Sequence, residues 1–546
     1  MTLVAQLQQV SLNWIDVSVF LGYMLLTVAI GFWAARGARS KPKDYFLGDR
    51  KLPWYVVGTS MVSTDISSET FIANVGIAYV YGMVVSTGSW NVWIIYTILI
   101  FIFLPYYVRT GLYTMPQFLE RRYNSTCRYF FAASLVVGYI VAILAGSLYA
   151  GGLSLQKIFG MNIVVGIVMF ALVTGAYTVW GGLKSAAWTD FMQMLVLMFA
   201  GIVLPVLALQ KAGGIATLAR DYPDHFDLFL PASHRQYPWT GVFTGFLTVG
   251  LWYSCTSQHI VQRVLSAKDE WHARMGVISA GYLRIITPLF FVIPGIAAYK
   301  LYPQLKARPD LAYLQLVIDL IPVGLTGVIL AGMAAALMST VSAVLNSTST
   351  LLTIDLYKRL WRPDATPRQE VMFGQISGVF VLLASVLISF LFVESREELF
   401  RLVQRIFFFI APPFAVVFPF GLLWRRANGT AAVVTIVVGF LFRALLELVL
   451  FPYIPALRPY QQAYQNGALI NWAFCVVLMI VVSLLTKPPP PEQTAGIIWD
   501  RSFLQLPPEE RARYSGWKDF RIWWAMFVVI ILGIYAFFAW WQFGRG

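Results

Sequence analysis

Charge is scarce in this sequence. Only 12% of its 546 residues are Asp, Glu, Lys or Arg, about half the proportion usual in soluble domains, which excludes a water-facing globular surface over most of the chain. Cysteine is nearly absent. Cys127, Cys255 and Cys475 are scattered without CxxC or metal-ligand spacing, so no disulfide framework is implied. No polar stretch is long enough to fold alone as a soluble domain. The N-terminus has no basic region followed by a small-residue cleavage site, so its first apolar run reads as a retained span. Acids are outnumbered, 26 against 40 bases; in so apolar a chain the net +14 points to basic cytoplasmic loops rather than nucleic-acid binding.

What is abundant is hydrocarbon. The chain is 58% hydrophobic with a mean hydropathy of +0.69, and apolar runs of about 20 residues recur along it, the length that crosses a bilayer as a helix. The pattern predicts an all-α polytopic membrane protein of about fourteen helices in one membrane domain. The spans fall near 14–35, 52–79, 83–108, 130–158, 163–180, 190–209, 241–261, 277–299, 324–356 and 399–423, with one before Glu394 and others near 431–451, 469–485 and 523–541. Asn13 is the expected cap of the first. Pro412, Pro413 and Pro419 are expected to interrupt and kink the eleventh. Basic clusters after Ala35, Val108, Val261, Leu356 and Leu423 fall on one side of this topology. They place the N- and C-termini outside a cell (inner) membrane, with residues 487–520 as a cytoplasmic linker.

One stretch breaks the apolar pattern. Ser63-Thr-Asp-Ile-Ser-Ser-Glu-Thr70 lies in the middle of the second span. Small residues alone would suit a close helix–helix contact, but Asp65 and Glu69 at bilayer depth call for a partner or a cavity. A helix broken there exposes carbonyls that can line an ion site. A second polar interruption, Tyr253 to His259, falls in the seventh span. Residues 52–210 and 239–426 then read as two five-helix halves, each opening with an interrupted helix. An odd number of spans per half makes the repeats inverted, the pattern that marks a midplane transport site.

A sodium ion needs about five hard oxygens, by extension of the logic for other hard cations. Backbone carbonyls at Ser63 and Ile66 can supply some. Ala336, Ser339 and Thr340 share a helix face at i, i+3 and i+4, so a carbonyl and two hydroxyls can converge; the alternative for those hydroxyls is packing or bonding back one turn. Asp190 reads either as an ion or proton ligand or as an acid at a helix N-terminus. Arg284, deep in its span, requires a partner: Asp65, Glu69 or a substrate oxygen. Gln404 and Arg405 face the same general space.

Several motifs together resemble the sodium:solute symporter family and, within it, the sodium–glucose cotransporter branch. They are Phe46-Leu-Gly-Asp-Arg-Lys-Leu-Pro-Trp54, Tyr113-Thr-Met-Pro-Gln-Phe-Leu-Glu-Arg-Arg122, Tyr177-Thr-Val-Trp-Gly-Gly-Leu183 with Trp188-Thr-Asp190, Gln258-His-Ile-Val-Gln-Arg263, Pro294-Gly-Ile-Ala-Ala298, and Leu345-Asn-Ser-Thr348 with Asp355-Leu-Tyr357. The resemblance implies the inverted-repeat fold first described for a bacterial leucine transporter and alternating access driven by Na⁺. It implies a sodium site at Ser63, Ile66, Ala336, Ser339 and Thr340. A second sodium or proton site is implied at Asp190 and Ser342, although Ala343 stands where two-sodium members tend to carry a hydroxyl. Tyr253 matches the aromatic inner gate, and Gln404 is kept among the sugar-contacting positions. Arg284 stands for Lys, Asp65 for Asn, Ser89 for an acid, and Gly250 and Ser254 for Asn and Trp. The substrate residues are therefore Asp65, Glu69, Ser89, Tyr253, Ser254, Arg284 and Gln404, in a rebuilt site.

The function implied is Na⁺-coupled import of a small polar solute, most simply a sugar or polyol. The partners are that solute and membrane lipids, a monomer sufficing for transport. An amino acid, amine or monocarboxylate is the alternative, with Asp65 meeting an amine or Arg284 a carboxylate. A third reading, of a different class, is a non-transporting sensor or intramembrane enzyme; it lacks an output domain, and its only hint is His259 beside Cys255.

Overall fold

Where lipid lies outside, each segment must close its own backbone hydrogen bonds, and the apolar runs do so as helices. The computed structural model describes residues 13–36, 41–66, 68–322, 324–394, 399–457 and 464–545; the side chains at 68–72, 157–159, 394, 399–405, 456 and 464–465 lie outside that description. Among the described residues eleven helices are long and apolar enough to cross a membrane.

The fourteen expected passes map onto these helices once three special cases are taken. The run α6 (Ile163–Ala212) carries two passes that meet at Gly182, where φ is 59° and ψ −152°. Only glycine adopts that conformation readily, and a Cβ there would strike the Tyr45 carbonyl. The second pass is split into α2 (Trp54–Asp65) and α3 (Ser68–Tyr81), and the seventh into α7 (Trp239–Cys255) and α8 (Gln258–Leu265). These halves are too short to cross singly. The two interrupted passes also touch: Leu52 N–H donates to the Ser266 carbonyl (3.1 Å) and Lys268 N–H to that of Leu52 (3.0 Å).

The remaining elements used below are α1 (Trp14–Ala34), α4 (Met115–Arg122), α5 (Ser125–Gly138), α9 (Glu270–Ile286), α10 (Leu325–Leu351), α11 (Pro367–Glu394), α12 (Leu399–Leu423), α13 (Gly429–Leu445), α14 (Tyr464–Leu485) and α15 (Phe520–Phe543). Helix α10 continues as a π-helix over Leu352–Trp361 and is almost wholly buried. It packs against α1, α2, α6 and α11. Its Gly, Ala and Ser faces allow this close approach, which makes it the axis of the molecule.

Three local expectations are corrected. Asn13 sits at the N-cap of α1 but its side chain caps nothing; Asp16, one turn on, instead accepts from the N–H groups of Gly324 (2.9 Å) and Gly327 (2.8 Å) and closes the start of α10. The prolines do not interrupt α12, which stays helical through all three. Pro419 cannot bond the carbonyl four residues back, and Trp472 Nε1 of α14 donates to that carbonyl, of Ala415, at 3.4 Å. Finally, Arg122, Arg263 and Arg274, counted as loop charges, are fully buried. Arg122 donates to the carbonyls of Gly421 (2.7 Å) and Trp424 (3.0 Å) and so ties α4 to the end of α12.

Candidate functional site

The α2 helix stops at Asp65 because Ile66 turns into extended backbone, φ −94° and ψ 101°. Carbonyls in its last turn then have no N–H four residues on to receive, and α10 fills the gap. Ser339 Oγ donates to the Ser63 carbonyl at 2.6 Å and lies 3.1 Å from that of Ala336. Thr340 Oγ1 lies 2.9 Å from the Thr64 carbonyl and 3.1 Å from that of Ala336. Five hard oxygens thus converge: three carbonyls and two hydroxyls, with no net charge. The hydroxyls of Ser63 and Thr64 are buried beside them without a hydrogen-bond partner among the described residues.

Four of the five expected sodium ligands are brought together here, Ser63, Ala336, Ser339 and Thr340. Ile66 marks the break itself, and it is the Thr64 carbonyl that Thr340 reaches. Thr64 was missed because which carbonyl a break exposes depends on the neighbouring helix, not on local spacing.

One turn deeper along α10, Ser342 Oγ lies 3.4 Å from Asp190 Oδ1 and 3.0 Å from the Ser339 carbonyl. Ser60 Oγ donates to Asp190 Oδ2 at 2.6 Å, and Arg263 Nη2 lies 3.6 Å from the same oxygen. Asp190 is therefore not a helix-end acid. It is the hub of a buried polar cluster that continues the oxygen set through Ser339. Ser60 and Arg263 escaped the sequence reading, although Ser60 lies one turn before Ser63, the spacing that puts two side chains on one face.

Beside the break, a cavity of about 270 Å³ is lined by Thr64, Asp65, Tyr253, Ser254, Arg284 and Thr340 at its polar side and by Phe246, Phe407 and Phe408 at its apolar side. Arg284 has Asp65 as its ion partner, and its Nη1 lies 3.4 Å from Ser89 Oγ. Tyr253 lines the cavity and packs its ring on His259 (5.0 Å) and Phe407 (5.9 Å). The side chains of Glu69 and Gln404 lie outside the described residues.

His259 and Cys255 do not face each other as a base and nucleophile. His259 Nδ1 lies 3.0 Å from both Ser257 Oγ and Tyr139 OH, while the Cys255 thiol points to the Ile95 carbonyl at 3.7 Å.

Comparison with known proteins agrees with this architecture. The model of the sodium:solute symporter family matches residues 45–439. The sodium/glucose cotransporter of Vibrio parahaemolyticus is 31% identical over 503 residues, covering 87% of this chain and 91% of that protein. The human sodium/myo-inositol cotransporter is 30% identical over 484 residues, 80% of this chain and 67% of that one. Among solved structures, a substrate-bound, outward-open Na⁺-coupled sialic acid symporter superimposes with a TM-score of 0.77 at 23% identity, over 87% of this chain and 99% of that one. That likeness fixes the fold as the inverted-repeat transporter type.

Proposed function

Because the chain belongs to the sodium:solute symporter family, it is a Na⁺-coupled multi-pass membrane transporter rather than an enzyme, and we propose that its solute is a sugar or polyol, imported by alternating access. The single observation that carries this reading is the contact between the two halves of the site. Thr340 and Thr64, which belong to the converging oxygens, also line the solute cavity. An ion held there and a solute held next door share a wall, so each alters the other's binding.

In this reading Na⁺ is held by Ser63, Ile66, Ala336, Ser339 and Thr340, with the Thr64 carbonyl. The solute meets Asp65, Arg284, Ser89 and Ser254, with Tyr253 as the inner gate and Glu69 and Gln404 as further contacts. Hydroxyl groups suit a site in which an acid and a guanidinium already pair, because a neutral polyol can accept from Arg284 and donate to Asp65 at once. The relatives' own names, sodium/glucose and sodium/myo-inositol cotransporter, support the class. Asp190 and Ser342 are proposed as a second cation or proton site, residues 52–210 and 239–426 as the inverted repeats, and both termini as lying outside a cell membrane.

One observation favours a second reading. The ionic end of the cavity is a complete ion pair, Asp65 with Arg284, and an amino acid carries the matching two charges; an amine or monocarboxylate would engage one partner. A thermal-shift screen of purified protein in Na⁺ against K⁺, across sugars, polyols, amino acids and carboxylates, separates the readings, since a ligand of the folded state raises the melting midpoint by mass action. Na⁺-dependent stabilisation by a sugar or polyol is the expected result. The Asp65→Asn variant should keep that response to within about tenfold in half-saturating concentration, roughly one lost charge-assisted hydrogen bond; an amine substrate would lose its response altogether.

A further inference from the structure

A second cavity, of about 690 Å³, is larger than the solute cavity and shares no lining residue with it. It opens where several stretches meet, α4 among them through Gln117. The short helix Pro42–Leu47 and its N-cap contribute Lys43 and Lys41, the start of α5 contributes Arg128, the π-helical end of α10 contributes Lys358 and Arg359, and α11 contributes Glu370. Five cations thus line it against one carboxylate.

The balance beyond the lining decides how much of that charge is free. Arg128 is fully engaged, with Asp355 Oδ1 at 2.7 Å, the Ile354 carbonyl at 3.1 Å and Glu120. Arg359 pairs with Glu120 at 2.9 Å and Lys358 with Glu370 at 2.8 Å. Glu120, Asp355 and Glu370 therefore balance three cations. Lys41 has no ion partner within 4.0 Å among the described residues, and Lys43 makes only a 3.8 Å contact with Asp49, which Lys51 already holds. Both lysines are exposed at the cavity. Asp44 acts on Lys41 and Asp49 on Lys43, but neither forms a close ion pair with them, so these two ammonium groups are the least tightly held of the five cations.

We propose that this cavity binds a phosphate-bearing anion, held by Lys41 and Lys43 with Lys358 and Arg359 at its rim. A phosphomonoester carries about −1.5 to −2 charges at neutral pH and three strong acceptor oxygens, which matches two ammonium groups acting as mobile point charges. Directly after Lys358 and Arg359 in the chain, Leu360 and Trp361 end the π-helix and are 51% and 68% exposed. An exposed aromatic residue next in the chain to a basic pocket at a helix end suits the interfacial zone where lipid phosphates lie. A lipid headgroup and free phosphate offer the same chemistry here.

The test uses the purified full chain in neutral detergent and reads its melting midpoint. One arm titrates inorganic phosphate against chloride at equal ionic strength; the other titrates dioctanoyl phosphatidic acid against dioctanoyl phosphatidylcholine. A saturable rise with phosphate assigns the site to the free anion, and a rise with phosphatidic acid alone assigns it to the lipid headgroup; either supports the proposal. The Lys41→Gln/Lys43→Gln double variant should raise the half-saturating concentration at least tenfold while keeping its melting response to Na⁺. Should the double variant not fold, Lys41→Gln and Lys43→Gln singly should each raise it severalfold. A Lys487→Gln/Arg513→Gln control, distant in sequence and outside the cavity lining, should respond as the wild type does. No rise in either arm, or the same rise in the lysine variants, or an equal loss in the control, overturns the proposal.

Discussion

A serine or threonine inside a helix ordinarily bonds back to a carbonyl one turn earlier. Ser339 and Thr340 do this at Ala336, and each also reaches a carbonyl of the broken helix facing them. A hydroxyl placed between two carbonyls has lone pairs to offer a cation, whereas one that only bonds back does not. Ser339→Ala or Thr340→Ala should therefore raise the Na⁺ concentration for half-maximal activation on the order of tenfold, the equivalent of about 1.4 kcal/mol, with little change in saturating uptake. Na⁺ activation curves of the two variants check this, and unchanged curves in both would remove the residues from the ion site. The spacing of Ala336, Ser339 and Thr340 was legible in the sequence because it is a local helical property. Arg263 was misplaced for the opposite reason. A count of basic residues at helix ends cannot see burial, and Arg263 is drawn inward by a carboxylate, Asp190, that lies 73 positions earlier.

At the scale of elements, breaks and turns carry the architecture. Both interrupted passes were legible, since a run of hydroxyls and acids inside hydrocarbon demands a cavity or a partner. The prolines of α12 misled because a neighbouring tryptophan, not the helix itself, satisfies the Ala415 carbonyl that Pro419 leaves free. Gly182 joins the fifth and sixth passes in a conformation closed to other residues. Gly182→Ala should cost about 1–3 kcal/mol in backbone strain alone, with the Tyr45 contact adding to it; a melting midpoint lowered by several degrees, or loss of monodisperse protein, is the expected outcome.

The clasp between α4, α5 and the π-helix responds to pH. Glu120 lies in none of the crossing helices and holds Arg128 and Arg359. Partial burial pushes its pKa up, but the two guanidiniums outweigh that and hold the carboxyl below its ordinary value. A depressed carboxylate contributes stability above its unfolded pKa of about 4.3, and that contribution is lost as pH falls through the folded value. Glu120→Gln should thus melt below the wild type at pH 7, and the gap should close in acid. A gap that stays constant across the titration would mean that the Glu120 charge does not stabilise the clasp.

For the whole molecule, the count of fourteen passes and the paired interruptions followed from composition and period, because lipid imposes one rule on every segment. Less legible was what fills the cavity beside the break, since its walls come from passes far apart in sequence and two of the expected solute contacts, Glu69 and Gln404, lie outside the described side chains. The oxygen cluster and the cavity meet at Thr64 and Thr340, so movement of ion and solute should be obligatorily linked. One positive charge crossing 100 mV supplies about 2.3 kcal/mol, enough for roughly fiftyfold accumulation of a neutral solute. The direct measurement is uptake into proteoliposomes of the sugar or polyol found to stabilise the protein, driven by an inward Na⁺ gradient with an inside-negative potential. Accumulation above the external concentration, abolished when K⁺ replaces Na⁺ and strongly reduced at limiting Na⁺ in Thr340→Ala, is the predicted result. Equal uptake in K⁺, or equilibration without accumulation under the full gradient, would contradict coupling at this site.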